Sequence, residues 1–253
     1  MYLFKKILSQ IYFNKINRRN FPGSMDPSEI FSFIYLLKKN KINLVIESGR
    51  QYGYSTYFLA SYCQKNNIKF ISIDLGINKK ADKYSRKILN KIPVEFNYGN
   101  FFFVIEKLLD RSGTKNIAML IDGPKGVNAY AFCYKLLKKY NIKFVFFDNV
   151  FLHPKSLKFY NFIFKKVHTF KDLNFSSSIK IILNKLNIEH KPKIAVKRIN
   201  DFGFVTLKDY DNSNFSFFFR NSVLLYYEAT RTFTKVKIFI KKLIYTKLTF
   251  KYN

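Results

Sequence analysis

The sequence predicts an α/β fold, a mostly parallel β-sheet with helices on both faces. Three observations carry this. Short apolar runs alternate with amphipathic stretches from about residue 24 to residue 208. Four of the five strand candidates end on a carboxylate, namely Glu47, Asp74, Asp122 and Asp148. The first of them breaks into a short loop with glycines at 49 and 53, in a chain that has 9 glycines in all.

The elements follow in order. Asp26 is a natural N-cap, and Pro27, Ser28 and Glu29 open a helix that runs to about Asn40. Strands are expected over Asn43–Glu47, Lys69–Asp74, Val94–Asn97, Ala118–Asp122 and Phe144–Asp148, each a compact apolar run. Helices fill the gaps at Ser55–Asn66, Ala81–Asn90, Phe102–Asp110 and Asn128–Tyr140. Further on, Ala195–Ile199 and Gly203–Lys208 flank Asp201-Phe202 and read as an antiparallel pair that closes the sheet. In open α/β sheets ligands bind beyond the carboxyl ends of the strands, so the four carboxylates would line one crevice. Glycine lets the backbone turn sharply there and lets a ligand approach closely.

The loop reads Glu47-Ser48-Gly49-Arg50-Gln51-Tyr52-Gly53 and continues Tyr54-Ser55-Thr56. Its spacing, acidic-x-Gly-x-x-x-Gly, differs from the GxGxxG of nicotinamide and flavin enzymes, and it lacks the lysine of a P-loop. It resembles the first motif of the class I S-adenosylmethionine-dependent methyltransferases, in particular the small-molecule O-methyltransferases. The resemblance covers roughly residues 24 to 208. It implies a Rossmann-like, seven-stranded, mostly parallel sheet with an antiparallel closing pair. It also implies that S-adenosylmethionine is bound by Glu47, Gly49, Gln51, Gly53 and Ser55, by Asp74 at the ribose, by Gly99 and Asn100 around adenine, and by Asp122. A carboxylate such as Asp74 can accept from both ribose hydroxyls and favours a sulfonium nearby.

A second segment reads Leu120-Ile121-Asp122-Gly123-Pro124-Lys125-Gly126, and the next strand ends Phe147-Asp148-Asn149-Val150. This resembles the metal-dependent, catechol-type O-methyltransferases, which implies Mg²⁺ or another divalent cation on Asp122, Asp148 and Asn149 and Lys125 as the base. The donors are hard oxygens, suited to magnesium. A cation would lower the pKa of an acceptor hydroxyl and orient it, and burial beside a metal would lower that of Lys125. The Asp-Gly-Pro-Lys-Gly loop is also similar to methyltransferases of glycan and natural-product pathways, whose need for metal varies. His153 follows the Asp-Asn pair and could reach the crevice as a base or substrate contact, whereas His168 and His190 have no carboxylate or histidine at ligand spacing.

Composition bounds the partners. The net charge of +29, from 45 basic and 16 acidic residues, suits nucleic acid, an anionic membrane or an acidic substrate. Abundant Lys, Asn, Ile, Phe and Tyr with no Trp is also the signature of an AT-rich genome. There is no Asn/Asp-Pro-Pro-aromatic motif of DNA amino-methyltransferases, no loop cysteine for cytosine C5 chemistry and no evident Lys-Asp-Lys-Glu tetrad. These absences favour a hydroxyl on a small molecule, sugar or glycan; an RNA methyltransferase and a catalytically silent binding domain are the alternatives.

Residues 1–22 form a basic amphipathic extension, 23–210 the methyltransferase-like domain and 211–253 a second basic extension. Phe4, Ile7, Leu8, Ile11 and Tyr12, and later Val236, Phe239, Ile240, Leu243 and Ile244, lie on helical faces beside lysines. Both ends could rest on an anionic membrane, dock on the domain or meet a second subunit in a homo-oligomer. Cys63 and Cys133 fall in helical segments without metal or disulfide spacing, consistent with a reducing cytoplasm.

Overall fold

The computed structural model describes residues 25–113, 115–148, 150, 163–164, 166–175, 177, 179–181, 202–206 and 209. Both basic extensions lie outside these residues, as do Asn149, His153, His190 and Ala195–Ile199.

Helix α1 spans Pro27–Lys39, with Asp26 at its N-cap and Glu29 Oε2 accepting from the Asp26 N–H at 2.6 Å. Strands β1 (Leu44–Ser48) and β2 (Lys69–Asp74) flank α2 (Tyr54–Lys65). Helix α3 (Lys79–Ile88), β3 (Glu95–Tyr98), α4 (Phe101–Ser112), β4 (Ile117–Ile121), α5 (Val127–Lys139) and β5 (Ile142–Asp148) continue the alternation. A short 3₁₀ turn at Phe170–Leu173 precedes β6 (Phe202–Thr206).

The sheet runs in the order β3-β2-β1-β4-β5-β6. All neighbours are parallel except β5 and β6, which pair antiparallel from Phe144↔Thr206 to Asp148↔Phe202. This is the expected α/β architecture with its reversed closing strand. Among the described residues the sheet has six strands where seven were expected. The described partner of β6 is β5; Ala195–Ile199, the expected other half of the closing pair, falls outside them.

Side-chain alternation on buried strands divides the core in two. Val45, Leu120, Phe144 and Phe146 face α1 and α2, where Ile30, Phe33 and Leu59 meet them. Leu44, Ile46, Met119 and Val145 face α4 and α5, against Ile105, Phe132 and Leu136. Phe33 packs edge-on to Phe144 and Phe146 at 5.4 and 5.6 Å, and Phe146 stacks on Phe202 at 4.5 Å. Burying each such ring contributes roughly 2–3 kcal/mol. Cys63 and Cys133 are free and buried in α2 and α5, and burial raises both thiol pKa values. No helix among the described residues is long and apolar enough to cross a membrane.

His168 has a carboxylate partner after all. Its Nε2 lies 2.9 and 3.1 Å from the Asp209 oxygens, and its ring stacks on Phe204 at 5.0 Å. Asp209 also accepts from the Thr206 N–H and Oγ1, so the pair ties the 168–173 segment to the edge strand. It sits at the Thr206 end of β6, opposite the end of β5 that carries Asp148.

Candidate active site

Strand order reverses between β1 and β4, whose chain connections leave in opposite directions along the sheet. Such a switch point opens a crevice beyond the strand ends. A cavity of about 310 Å³ lies there, lined by Ser48, Gly49, Gln51, Asp74, Gly99, Asn100 and Asp122 with Leu75, Ile77 and Phe101 among its apolar neighbours. A volume near 300 Å³ is at the small end of ligand pockets.

The two loops that frame the cavity hold each other. The Asp122 and Gly123 N–H groups donate to the Ser48 carbonyl at 2.9 and 3.1 Å, and Ser48 Oγ donates to the Gly123 carbonyl. Gly49 sits at φ +97°, and a Cβ there would lie 3.0 Å from the Gly123 nitrogen, so a side chain would push the loops apart. Asp74 organises the other side. Its Oδ2 accepts from the Arg50 and Gln51 N–H groups at 3.0 and 3.1 Å, and its Oδ1 from the Gly76 N–H at 2.8 Å. Asn100 caps α4 by accepting from the Phe102 N–H at 3.0 Å.

Three residues expected to bind the cofactor, Glu47, Gly53 and Ser55, are not among those that line this cavity. Glu47 is fully buried and outside the cavity lining. It accepts from Ser55 Oγ at 2.8 Å, Thr56 Oγ1 at 2.6 Å and Ser72 Oγ at 2.9 Å. Burial raises its pKa to about 7 although those hydroxyls and the Arg50 charge pull the other way. Ser55 is thereby a ligand of Glu47, buried with it. Gly53, at φ +82°, lies against α3, where a Cβ would meet the Ser85 Cβ at 2.9 Å. All three shape the loop from beneath.

On the β4–β5 side, Lys125 Nζ lies 3.0 Å from Asp122 Oδ1 and 3.0 Å from Asp148 Oδ2. Although burial opposes it, the pairing with Asp148 and Asp122 raises the Lys125 pKa, the reverse of the lowering expected of a base. Asp148 is pushed well above the carboxylate range, first by burial and then by Glu29 and Asp122. Glu29, read in the sequence only as a helix opener, therefore adds its charge to those that raise Asp148, from the first turn of α1. Of the proposed magnesium ligands Asp122 and Asp148 are brought together, with the Lys125 ammonium between them; Asn149 and the candidate base His153 fall outside the described residues. Among the described residues no group of three or more His, Cys, Asp or Glu side chains converges as a metal site.

No family model and no curated protein sequence matches the chain. Among solved structures it is similar to the O-methyltransferase from Bacillus cereus in complex with SAH, at 14% identity and TM-score 0.45, over 80% of this chain and 90% of that one. It is likewise similar to SAH-bound methyltransferase PaMTH1 from Podospora anserina, at 12% and 0.48 over 81% and 88%. A third is the O-methyltransferase TomG from Streptomyces achromogenes, involved in tomaymycin synthesis and in complex with SAM, at 15% and 0.48 over 79% and 87%. These likenesses are distant, and the fold is established by the strand order and directions of the sheet itself.

Proposed function

We propose that the protein is an S-adenosylmethionine-dependent methyltransferase that methylates a hydroxyl oxygen of a small-molecule, sugar or glycan acceptor. The observation that carries this reading is the cavity at the β1/β4 switch point, with Asp74 on one side, Asp122 on the other and Gly49 between. The residues fit the cofactor. Gly49 leaves room for its methionine part, Asp74 and Asn100 offer polar atoms to the ribose and adenine, and Leu75, Ile77 and Phe101 offer apolar surface to the base.

S-Adenosylmethionine supplies an electrophilic methyl on a sulfonium, whose C–S bond breaks as the O–C bond forms, leaving the neutral thioether. The chain's part is to orient the acceptor and receive its proton. In this reading Lys125 stays an ammonium and donates to the acceptor oxygen. The hydroxyl proton passes to the Asp122–Asp148 carboxylate pair, of which Asp122 reaches the cavity.

Asp122 and Asp148 are hard donors of the type magnesium takes, but the ammonium bridges them at 3.0 Å on each side. Each carboxylate gives the ammonium one oxygen, Asp122 Oδ1 and Asp148 Oδ2, and a cation would have to share the pair with Lys125 or displace it, so no step is assigned to a metal. Isothermal titration with S-adenosylhomocysteine tests the cofactor, and transfer of labelled methyl to a panel of sugars and phenols, with and without EDTA, tests the reaction. Binding with EDTA-resistant transfer is expected. Absence of binding refutes the reading, and loss of transfer in EDTA restores the magnesium role with Lys125 displaced.

A further inference from the structure

We infer that Arg50 is a positioning residue: a buried guanidinium that fastens the 49–53 loop to β2 and α3 and so holds the cofactor-binding shape without touching the cofactor. The inference rests on the reading of that loop as the S-adenosylmethionine site.

The loop has an unusual backbone. Gly49, Gln51 and Gly53 all have positive φ, +97°, +46° and +82°, and Gln51 carries a side chain that makes this conformation rare. A segment of this kind persists only where its surroundings over-determine it. Asp74 provides one anchor through the Arg50 and Gln51 N–H groups. The Arg50 side chain provides a second.

That side chain is fully buried and is not part of the cavity lining. Its Nε donates to Ser85 Oγ at 3.2 Å, one terminal nitrogen to Ser72 Oγ at 3.3 Å and the other to Asp82 Oδ1 at 2.8 Å. The guanidinium also lies over the rings of Phe96 and Tyr98, at 4.7 and 5.4 Å. A planar fork with donors on three nitrogens spans three acceptors from two elements, whereas the three donors of a lysine radiate from a single nitrogen. The fastening extends both ways. Ser72 passes it on to Glu47, and Asp82 accepts from Tyr98 Oη at 2.6 Å on the edge strand. One chain of hydrogen bonds thus links the end of β1, the loop and β3.

The test is S-adenosylhomocysteine titration of the wild type, Arg50→Met, Arg50→Lys, Asp82→Asn and the Arg50→Met/Asp82→Asn double variant, with thermal melting of each. Arg50→Met should weaken binding roughly 10–100-fold and raise KM for the cofactor while kcat at saturation changes little. Arg50→Lys should recover only part of the loss. Asp82→Asn, which lies outside the loop, should weaken binding less, and the double variant should lose less than the sum, because both act through one contact. Where Arg50→Met does not fold, Asp82→Asn and Arg50→Lys carry the test alone. Folded Arg50→Met that binds like the wild type, or affinity unchanged in both Asp82→Asn and Arg50→Lys, overturns the inference. A wild type that binds no S-adenosylhomocysteine overturns the cofactor reading instead, and the inference with it.

Discussion

Glu47 and Asp148 lie at the carboxyl ends of β1 and β5, with β4 between them, and both are buried, at 0% and 6% exposure. Their surroundings differ in kind. Glu47 receives hydrogen bonds from the hydroxyls of Ser55, Thr56 and Ser72, with the Arg50 charge one residue further out. Asp148 feels the negative charges of Glu29 and Asp122 and pairs with the Lys125 ammonium. Neutral donors satisfy a carboxylate in place and leave it nothing further to bind, which suits a support beneath a loop. Charged neighbours of both signs shift a carboxylate's proton affinity, which suits a place where protons move. Under the proposed function, the cofactor half of the crevice is built for rigidity and the acceptor half for chemistry.

That contrast can be broken most decisively at Asp74. Asp74→Ala strips the acceptor from the Arg50, Gln51 and Gly76 N–H groups, and S-adenosylhomocysteine affinity should fall by at least about 100-fold in a titration. A small loss would mean that the loop is rigid without its anchors. Lys125→Met probes the other half. It should lower kcat by roughly 100-fold and leave cofactor affinity unchanged; equal losses in both would erase the division of labour.

The third prediction concerns pH and stability. The folded pKa of Glu47, about 7, lies above its ordinary value of 4.5, so the folded state keeps a proton that the unfolded chain has released. The Glu47 contribution is therefore most favourable below pH 4.5, declines as pH rises to about 7 and is level above, a fall of about 3 kcal/mol. Urea melts across this range should show the decline in the wild type and lose it in Glu47→Gln. A Glu47→Gln profile as steep as the wild type would place the titrating group elsewhere. The smallest effect is expected from Lys69→Ala, which removes a largely exposed ion pair to Glu95 at 2.8 Å and should cost less than about 1 kcal/mol in the same melts.

Much of the fold is legible in the sequence because its signals are local. Lys69–Asp74 is a strand with the expected bounds, and each described helix begins and ends within two residues of its expected position. The glycines at 49 and 53 mark a real break after β1, with φ values that favour glycine. The residues that hold the site together are less legible. Arg50 stands in a variable position of the acidic-x-Gly-x-x-x-Gly motif, and its partners lie 22, 32 and 35 residues away. His168 looked isolated because Asp209 is 41 residues distant. Glu29 has a helix-opening signal that says nothing of its charge acting on Asp148.

The order of elements, the parallel α/β class and the loops at which a ligand could enter are written in local signals, because hydrophobic period, caps and glycines act over a few neighbouring residues. Which acidic strand ends face the cavity and which lie beneath it depends on the assembled sheet. It made Glu47 a buried support, Asp74 an anchor for backbone amides and Lys125 a protonated bridge between Asp122 and Asp148. The reason is that burial and charge partners, which set a carboxylate's proton affinity, are supplied by side chains that meet only when the sheet has assembled.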